Sequence, residues 1–379
     1  MARTRRPRYE VRHPELDRQV EELVARAEFE FGRREGSEMV RQMVVTALRL
    51  FQEGTAEGDL RMLNSALKEL RHALRVFKPY DHVRKVAVFG SARTEERSPE
   101  WEAARAFAAR MVEQDWMVIT GAGDGIMGAA QGGAGRHASF GVNIRLPFEQ
   151  RANEVIAGDQ KLINFRYFFT RKVTFVKEAH AIALFPGGFG THDEGFEALT
   201  LIQTGKSEII PVVFVDAPGG TYWKEWASWL EANLGGRGLI GPEDRSLFHV
   251  TDDVDDAVRE ITRFYRNYHS SRYVRELLVL RVRQAPAREA LERLRREFGD
   301  ICAGGTIEVR DALPEEGDEV AHLPRIVLPF DHHRVGRLRQ LIDRLNELAE
   351  PTTRTTRDAT PHEIVPQDIP PEARAARES

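Results

Sequence analysis

The first part of the chain repeats its hydrophobic positions with a helical period. Between residues 14 and 76 apolar residues recur every three or four positions, beginning with Leu16, Val20 and Leu23. That spacing places them on one face of an amphipathic helix. We therefore predict a helical region over residues 1–80, which would cover a domain or form an oligomer surface.

From Val83 the pattern changes to short apolar runs that alternate with helical stretches. Successive runs are VAVFG, MVITG, GVNIRL, AIALF and PVVFV. Alternation of this kind predicts βαβ units and a parallel sheet buried on both faces. We predict a Rossmann-like, doubly wound α/β domain over residues 81–269.

Two further segments follow the predicted α/β domain. Residues 270–350 show the order strand, helix, strand, strand, helix, which predicts a small α+β domain of the ferredoxin-like type. Residues 351–379 are rich in proline, threonine and charge, so we expect a disordered tail.

The composition argues against several classes of protein. The net charge of −4 disfavours a protein that coats nucleic acid. No apolar run approaches the ~20 residues of a membrane helix, and the basic start MARTRRPR lacks the apolar stretch of a secretory signal. A single cysteine, Cys302, cannot form an internal disulfide. We expect a cytoplasmic protein without nucleic-acid or membrane partners. Apolar helical faces outside the core predict a homo-oligomer, a dimer or larger.

Three glycine clusters follow predicted strands, at the strand ends where parallel sheets bind ligands. The first is GSAR, with Gly90 and Ser91, and the second is GAGDGIMGAA, with Gly121 and Gly123. Taken alone, either cluster fits a plain strand-to-helix turn as well as a binding loop. The second lacks the G-x-G-x-x-G spacing of a nicotinamide site, and the chain has no G-x-x-x-x-G-K-[ST] loop. A redox dinucleotide site and an ATPase or kinase are therefore disfavoured.

The third cluster, PGGFGTHDE at residues 186–194, carries the most specific signal. Its glycines let backbone amides approach an anion closely, and a helix predicted to begin near Thr191 would add a positive N-terminal dipole. Thr191 would cap that helix and donate to a phosphate oxygen. Asp193 and Glu194 would then stand in the first helical turn. We interpret Asp193 as complementing the dipole and Glu194 as the candidate for chemistry.

The segment FFTRK supplies cations to the same region. A helix over about residues 166–179 would carry Arg171 and Lys172 near the glycine loop if it starts at the ligand end of the sheet. The aromatic residues directly before them indicate a buried or pocket-lining stretch, and buried cations require anionic partners. Arginine can clamp a phosphate group with two hydrogen bonds.

Together, GSAR, GAGDGIMGAA, LPFE, FFTRK and PGGFGTHDEGFEALT resemble the Lonely Guy family of nucleoside 5′-monophosphate phosphoribohydrolases, many of which were once described as lysine decarboxylases. The resemblance spans about residues 83–265, and the additional regions are similar to those of the longer bacterial nucleosidases. It implies that Arg171 and Glu194 are the essential residues. FFTRK differs from the M-H-E-R-K of plant-type members, because Thr170 stands where they carry glutamate.

The candidate substrate-binding residues combine the glycine clusters with contacts implied by the resemblance. The implied contacts are Glu149, Lys172, the stretch from Gly188 to Glu194, and Thr200. The full candidate set is Gly90, Ser91, Gly121, Gly123, Glu149, Lys172, Gly187, Gly188, Phe189, Gly190, Thr191, His192, Asp193 and Thr200. The resemblance to the longer members also implies a regulatory nucleotide as a candidate partner of the terminal regions.

The predicted reaction is hydrolysis of the N-glycosidic bond of an AMP-like nucleotide or a cytokinin riboside monophosphate, giving free base and ribose 5-phosphate. Glu194 would stabilise an oxocarbenium-like sugar and orient or deprotonate water, and Arg171 would bind the phosphate or neutralise the departing base. We expect no cofactor and no metal, because no histidine–carboxylate pattern has ligand spacing. The alternative is a non-catalytic carrier of a nucleotide or of molybdenum cofactor, in which Glu194 only caps its helix. Lysine decarboxylation is disfavoured, because no lysine has the context of a pyridoxal-phosphate site.

Overall fold

The computed structural model describes residues 9–32, 36–145, 151–317 and 320–349. Between Lys68 and Glu69 the chain divides into two compact units. Glu149, one of the candidate binding residues, and the tail expected to be disordered over residues 351–379 lie outside the described residues.

The N-terminal unit is helical, as the period of its hydrophobic positions predicts. Its helices are α1 (Pro14–Phe31), α2 (Ser37–Gln52) and the start of α3 (Glu57–Phe77). Pro14 lies in the first turn of α1, where a missing amide costs no hydrogen bond. Val20 and Val45 pack together in a small buried cluster. The helical prediction for this region is confirmed.

A seven-stranded sheet forms the core of the second unit, and all of its strand pairs are parallel. The strands are β1 (Lys85–Phe89), β2 (Met117–Thr120), β3 (Ser139–Ile144), β4 (Leu162–Phe165), β5 (Ala181–Leu184), β6 (Val212–Val215) and β7 (His249–Thr251). Their order across the sheet is β4-β3-β2-β1-β5-β6-β7. β1, β2, β5 and β6 are buried along their whole length, as expected for a sheet covered on both faces. The predicted Rossmann-like, doubly wound fold is confirmed.

Helices follow every strand of this sheet except β3 within the described residues. They are α4 (Pro99–Glu113), α5 (Ile126–Ala134), α6 (Phe168–Glu178), α7 (Phe189–Gln203), α8 (Tyr222–Leu230) and α9 (Val254–Phe264). α6 confirms the helix predicted over about residues 166–179. Strand β4 was not predicted. It lies at the edge of the sheet with only alternate residues buried, so it shows no continuous apolar run.

The sheet reverses its direction of growth at β1. From β1 the chain adds β2, β3 and β4 on one side, and then returns to add β5, β6 and β7 on the other. Connections that leave neighbouring strands in opposite directions open a crevice at the carboxyl ends of those strands. Across it, the Ser91 amide donates a hydrogen bond to the Pro186 carbonyl at 3.1 Å. The loops after β1 and β5 are therefore neighbours.

A four-stranded antiparallel sheet follows in the same unit. Its strands are β8 (Tyr268–Val274), β9 (Leu277–Val282), β10 (Glu308–Arg310) and β11 (Arg325–Leu328), in the order β10-β11-β9-β8. The helices α10 (Arg288–Glu297) and α11 (Val335–Leu348) complete it. From β9 to α11 the chain follows the expected ferredoxin-like order. β8 is an additional edge strand, and it crosses the boundary expected between positions 269 and 270. The domain boundaries themselves stay predictions.

The close packing of α4 against α5 should depend on Gly133. A Cβ at Gly133 would lie 2.0 Å from the Arg105 carbonyl oxygen, whereas one at Gly132 would meet nothing within 4 Å. Gly133→Ala should therefore lower the free energy of unfolding by about 1–3 kcal/mol through overpacking. Gly132→Ala gains only helix propensity and should raise it by about 0.5–1 kcal/mol. Urea denaturation of both variants measures these changes, and equal effects would contradict this account of the contact.

His180 joins the starts of β1 and β5. Its Nδ1 accepts a hydrogen bond from the Lys85 amide at 3.3 Å, and its own amide donates to the Lys85 carbonyl at 2.7 Å. Burial, together with the nearby charges of Lys85 and Arg84, lowers the pKa of His180 from 6.5 to about 4.

The pKa of His180 makes the fold sensitive to acid. Between pH 6.5 and about 4 the unfolded chain binds a proton that the folded chain does not, so stability should fall as the pH is lowered through this window. His180→Gln keeps an acceptor for the Lys85 amide and should lose less free energy of unfolding over the same window. Urea denaturation at several pH values measures the difference. An identical pH dependence in the two proteins would show that His180 is not its source.

Candidate active site

The candidate residues meet at the carboxyl ends of three neighbouring strands. Gly90 and Ser91 follow β1, Gly121 and Gly123 follow β2, and Gly187 follows β5. These strands lie side by side in the order β2-β1-β5. The three glycine clusters are therefore brought together at the edge where parallel sheets bind ligands.

Close contacts explain why glycine stands at two of these positions. A Cβ at Gly187 would lie 2.1 Å from the Thr191 Oγ1 and 3.0 Å from the Ser91 amide nitrogen. At Gly121, a Cβ would lie 2.9 Å from the Arg171 Nη2. Larger residues would displace a hydroxyl or a guanidinium group of the candidate site.

Gly90 and Gly123 pack against α5 instead. A Cβ at Gly90 would lie 2.6 Å from the Ile126 Cγ2, and one at Gly123 would lie 2.8 Å from the Met127 Cε. Both neighbours belong to the first turn of α5. These two glycines let α5 approach the strand ends closely.

The glycine cluster at residues 186–190 places the start of α7 at the crevice. α7 begins at Phe189 after the N-cap Gly188, which makes no side-chain capping bond. The first amides of a helix have no acceptor within the helix, and the helix dipole favours an anion there. A Cβ at Gly188 or Gly190 would meet nothing within 4 Å, and Phe189 is 98% exposed. The open start of α7 can therefore take a phosphate group.

Two expectations about α7 are wrong. Thr191 is not the N-cap, because Gly188 takes that position and leaves Thr191 buried inside the first turn. Asp193 and Glu194 are not in the first turn, because α7 begins two residues before Thr191. The preference of threonine for helix caps suggested a later start than the chain adopts.

Arg171 places a half-buried cation at the edge of the crevice. Its Nη2 lies beside Gly121, and its guanidinium carbon lies 5.4 Å from the centre of the Phe175 ring. The Arg171 Nε is buried and has no hydrogen-bond partner within the described part of the chain. Burial lowers the pKa of Arg171, and the charge of Glu194 opposes this shift. A half-buried cation with free hydrogen-bonding capacity is a binding group for an anion.

Lys172 binds three carboxylates of α7. Its Nζ lies 2.6 Å from the Glu197 Oε2, 2.9 Å from the Asp193 Oδ2 and 3.8 Å from the Glu194 Oε2. Burial acts to lower the pKa of Lys172, but the hydrogen bonds to Glu197 and Asp193 outweigh it, so the pKa is raised. Asp193, interpreted from the sequence as a partner of the helix dipole, is thus a partner of this lysine.

Glu194 is the most buried carboxylate of this network. Its side chain is 11% exposed, against 61% for Asp193 and 31% for Glu197. Burial raises the pKa of Glu194, and the charges of Lys172 and Arg171 oppose the rise. A carboxylate with a raised pKa, close to two cations, is suited to accept a proton from water or to face a developing positive charge.

One contact that holds α6 in place was not predicted from the sequence. Glu69 accepts hydrogen bonds from the Thr170 hydroxyl at 2.6 Å and from the Arg166 amide at 3.0 Å. Thr170 is fully buried and directly precedes Arg171. Glu69 is 101 positions away from Thr170 in the sequence, so no local pattern signals the contact. It brings a carboxylate to the threonine that replaces the glutamate of the plant-type motif.

A second missed residue, Tyr222, lies beside the glycine loop. Its hydroxyl donates to the Gly187 carbonyl at 2.6 Å, and its ring centre lies 6.0 Å from that of His192. Tyr222 and Ser91 help to line a cavity of about 430 Å³ next to Gly187.

Two candidates are not placed at this edge. Thr200 is exposed and lies roughly 9 Å beyond Glu194 along α7, at 1.5 Å per residue. Glu149 lies outside the described residues.

Neither a membrane span nor a metal cluster is found in the part of the chain that the structure describes. No helix there combines the length and hydropathy needed to cross a bilayer. No three or more histidine, cysteine, aspartate or glutamate side chains in the same ranges come together in a group that could hold a metal ion.

Lys172 should control the pKa of Glu194. Lys172→Met removes a charge that lowers the pKa of Glu194, so this pKa should rise further. Carbon-13 NMR titration of glutamate carboxyl groups, with Glu194→Gln to identify the signal, measures the change. Lys177→Met is the matched control, because Lys177 pairs with Glu178 at the other end of α6. An unshifted titration in Lys172→Met would refute the network.

Two solved structures align with about half of the chain. The molybdenum cofactor carrier protein of Chlamydomonas reinhardtii is 19% identical, with 48% of this chain and 97% of that chain covered and a TM-score of 0.34. The molybdenum cofactor binding protein of Rippkaea orientalis is 17% identical, with 48% and 94% covered and a TM-score of 0.33. At these TM-scores neither structure carries an argument about function.

Sequence comparisons also match part of the chain. Residues 126–261 match the family model described as "Possible lysine decarboxylase". The "Probable cytokinin riboside 5'-monophosphate phosphoribohydrolase LOG4" of Oryza sativa subsp. japonica is 27% identical over 184 residues, which are 48% of this chain and 77% of that protein. The match to the family model runs from α5 into α9 and includes Arg171 and Glu194. The α/β domain of this chain is therefore similar in sequence to the Lonely Guy family.

Proposed function

We propose that the α/β domain hydrolyses the N-glycosidic bond of nucleoside 5′-monophosphates to free base and ribose 5-phosphate. The observation that carries the proposal is Glu194, a buried carboxylate beside Lys172 at the sheet edge where the open start of α7 can take a phosphate. The family, and the activity named for the rice relative, support the proposal.

The 5′-phosphate would bind at the start of α7. The free amides of the Gly188–Gly190 turn and the dipole of the helix favour an anion there. Thr191 can add a hydroxyl, and Arg171 of α6 can add a guanidinium group, which lies beside Gly121. A phosphate held at one end of the substrate positions the sugar, so that binding energy is used for orientation.

Glu194 would act on the sugar. When the N-glycosidic bond breaks, its electron pair leaves with the base and positive charge develops at C1′. Ionised Glu194 can stabilise that charge and take a proton from the water that adds to C1′. The base leaves with a proton, and the oxygen of water ends on ribose 5-phosphate, so the reaction balances with water alone. Arg171 would hold the phosphate or neutralise the departing base.

Lysine decarboxylation, which the description of the family model suggests, does not fit Lys172. A pyridoxal-phosphate enzyme forms a Schiff base through a lysine whose pKa is lowered. Burial acts in that direction on the pKa of Lys172, but hydrogen bonds to Glu197 and Asp193 raise it. Lys172 is held as a charged partner of carboxylates rather than as a nucleophile.

A carrier of a nucleotide or of molybdenum cofactor would use only part of this arrangement. The start of α7 and Arg171 would serve a carrier equally well. Such a protein would bury Glu194 without using its charge, and burying a carboxylate costs free energy. Catalysis gives that carboxylate a role, so we favour hydrolysis.

The finer aspects of the function stay predictions. The proposal covers AMP-like substrates and cytokinin riboside monophosphates, and it includes a cytoplasmic location and a candidate regulatory nucleotide at the terminal regions. A homo-oligomer is also proposed. Phe168, Phe169 and Val173 on α6 are about half exposed close to Arg171, and would suit contact with a second copy.

Glu194→Gln should lower turnover by ~10² or more while leaving nucleotide binding nearly intact, because an amide neither accepts a proton nor carries charge. Asp193→Asn removes a more exposed partner of Lys172 and should cost less than about tenfold. Release of adenine from AMP measures turnover, and calorimetry measures AMP binding. Full turnover by Glu194→Gln would contradict the proposed role of this residue.

A further inference from the structure

A cavity of about 930 Å³ lies at the opposite edge of the main sheet from the candidate active site. Arg84, His180 and Ile210 line it, and they precede the starts of β1, β5 and β6. It continues along α6 and α7 and reaches Arg283 at the end of β9. Its volume falls within the range of small-molecule sites, and the proposed hydrolysis does not use it.

The charges around this cavity are not balanced. Its lining includes the cations Arg84, Lys206 and Arg283, none of which forms an ion pair with a carboxylate of the described residues. Two of the acids that line it are already bound elsewhere. Asp81 pairs with Lys78 at 3.0 Å, and Glu197 pairs with Lys172 at 2.6 Å. Glu208 is the one further carboxylate among the described residues of the lining, so Arg84, Lys206 and Arg283 outnumber it and the cavity keeps a net positive charge.

Arg84 is fixed in position at the cavity wall. Its guanidinium carbon lies 4.1 Å from the centre of the Tyr265 ring, and the Tyr265 hydroxyl donates to the His180 carbonyl at 2.6 Å. Burial lowers the pKa of Arg84, and the like charge of Arg283 acts in the same direction. A partly buried guanidinium close to a second cation gains free energy when an anion binds both.

His180 adds a neutral hydrogen-bond donor to the same wall. Because its Nδ1 accepts from the Lys85 amide, the ring proton is assigned to Nε2. The pKa of His180, lowered to about 4, keeps the ring neutral at physiological pH. The wall thus combines a guanidinium group with an N–H donor.

Apolar side chains also line the cavity, next to Lys177 and Glu197. Val173 and Val176 of α6 face it, as do Leu201 and Ile202 of α7 and Ile210 before β6. A ligand with a purely polar body would place polar groups against these side chains, which cannot form hydrogen bonds with them. An apolar or aromatic body would bury them favourably.

We propose that this cavity is a second ligand site, which takes a small organic anion with an apolar or aromatic body. Arg84 and Arg283 bind the anionic group, and the side chains of α6 and α7 contact the body. A carboxylate and a phosphate ester share this chemistry. The site is separate from the proposed hydrolytic centre and does not depend on Glu194.

The test uses 1-anilinonaphthalene-8-sulfonate, a fluorescent aromatic anion, added to the full chain. The wild type should show saturable binding, and Arg84→Gln and Arg283→Gln should each bind at least about tenfold more weakly, the loss expected for one hydrogen bond to a charged group. Arg259→Gln is the matched control, because Arg259 pairs with Asp256 on α9 outside the cavity lining. Glu194→Gln should bind the probe as the wild type does, which separates this site from the proposed hydrolysis.

Competition identifies the anionic group. Phenylacetate and phenyl phosphate should displace the probe, and whichever acts at lower concentration identifies carboxylate or phosphate as the preferred group. Benzyl alcohol, which is neutral, should not displace it. Thermal melting confirms that each variant is folded. Because Arg283 is exposed, Arg283→Gln should fold, and it tests the proposal if Arg84→Gln does not fold. Equal binding by Arg283→Gln and the wild type, or equal displacement by benzyl alcohol, would overturn the proposal, because the probe would then be on an uncharged apolar surface.

Discussion

The reversal of the parallel sheet between β1 and β5 is the constraint on which the candidate site depends. It makes the connections after these two strands diverge, and the hydrogen bond from the Ser91 amide to the Pro186 carbonyl fixes the distance between the resulting loops. Near these loops, Lys172 of α6 contacts the carboxylates of α7. Glycine at positions 121 and 187 permits this approach, because a Cβ at either position would meet Arg171 or Thr191.

Buried charge gives this geometry its chemical character. Arg171 and Glu194 are both largely removed from water, and burial shifts the pKa of each towards its neutral form. Each charge opposes the shift of the other, and Lys172 adds a second cation next to Glu194. The two cations and the carboxylates of α7 therefore stabilise one another in the absence of ligand, but the Arg171 Nε still lacks a partner among the described residues. An anionic substrate would supply one.

Patterns within single segments predicted most of the fold and the principal members of the site. The apolar runs gave the buried parallel strands, and PGGFGTHDE and FFTRK gave Glu194, Arg171 and Lys172. Strand β4 was missed because an edge strand buries only alternate residues. The start of α7 was placed too late because threonine is a preferred cap, whereas here glycine caps the helix.

Contacts between distant segments could not be predicted from local patterns. The bond from Thr170 to Glu69 and the bond from Tyr222 to Gly187 each join residues that are far apart in the chain. The grouping of Asp193, Glu194 and Glu197 around Lys172 depends on how α6 lies beside α7, which a period or a motif does not specify. Burial and the charges of this group together shift the pKa of Glu194, which the motif alone does not predict.

The most direct test of the central claim is to incubate the full chain, in metal-free buffer, with AMP, GMP, CMP and UMP in turn and to follow the products by chromatography. The account predicts that free base and ribose 5-phosphate appear in equal amounts from at least one of the four nucleotides. Tight binding of a nucleotide with no base released from any of them would contradict the account and favour a carrier.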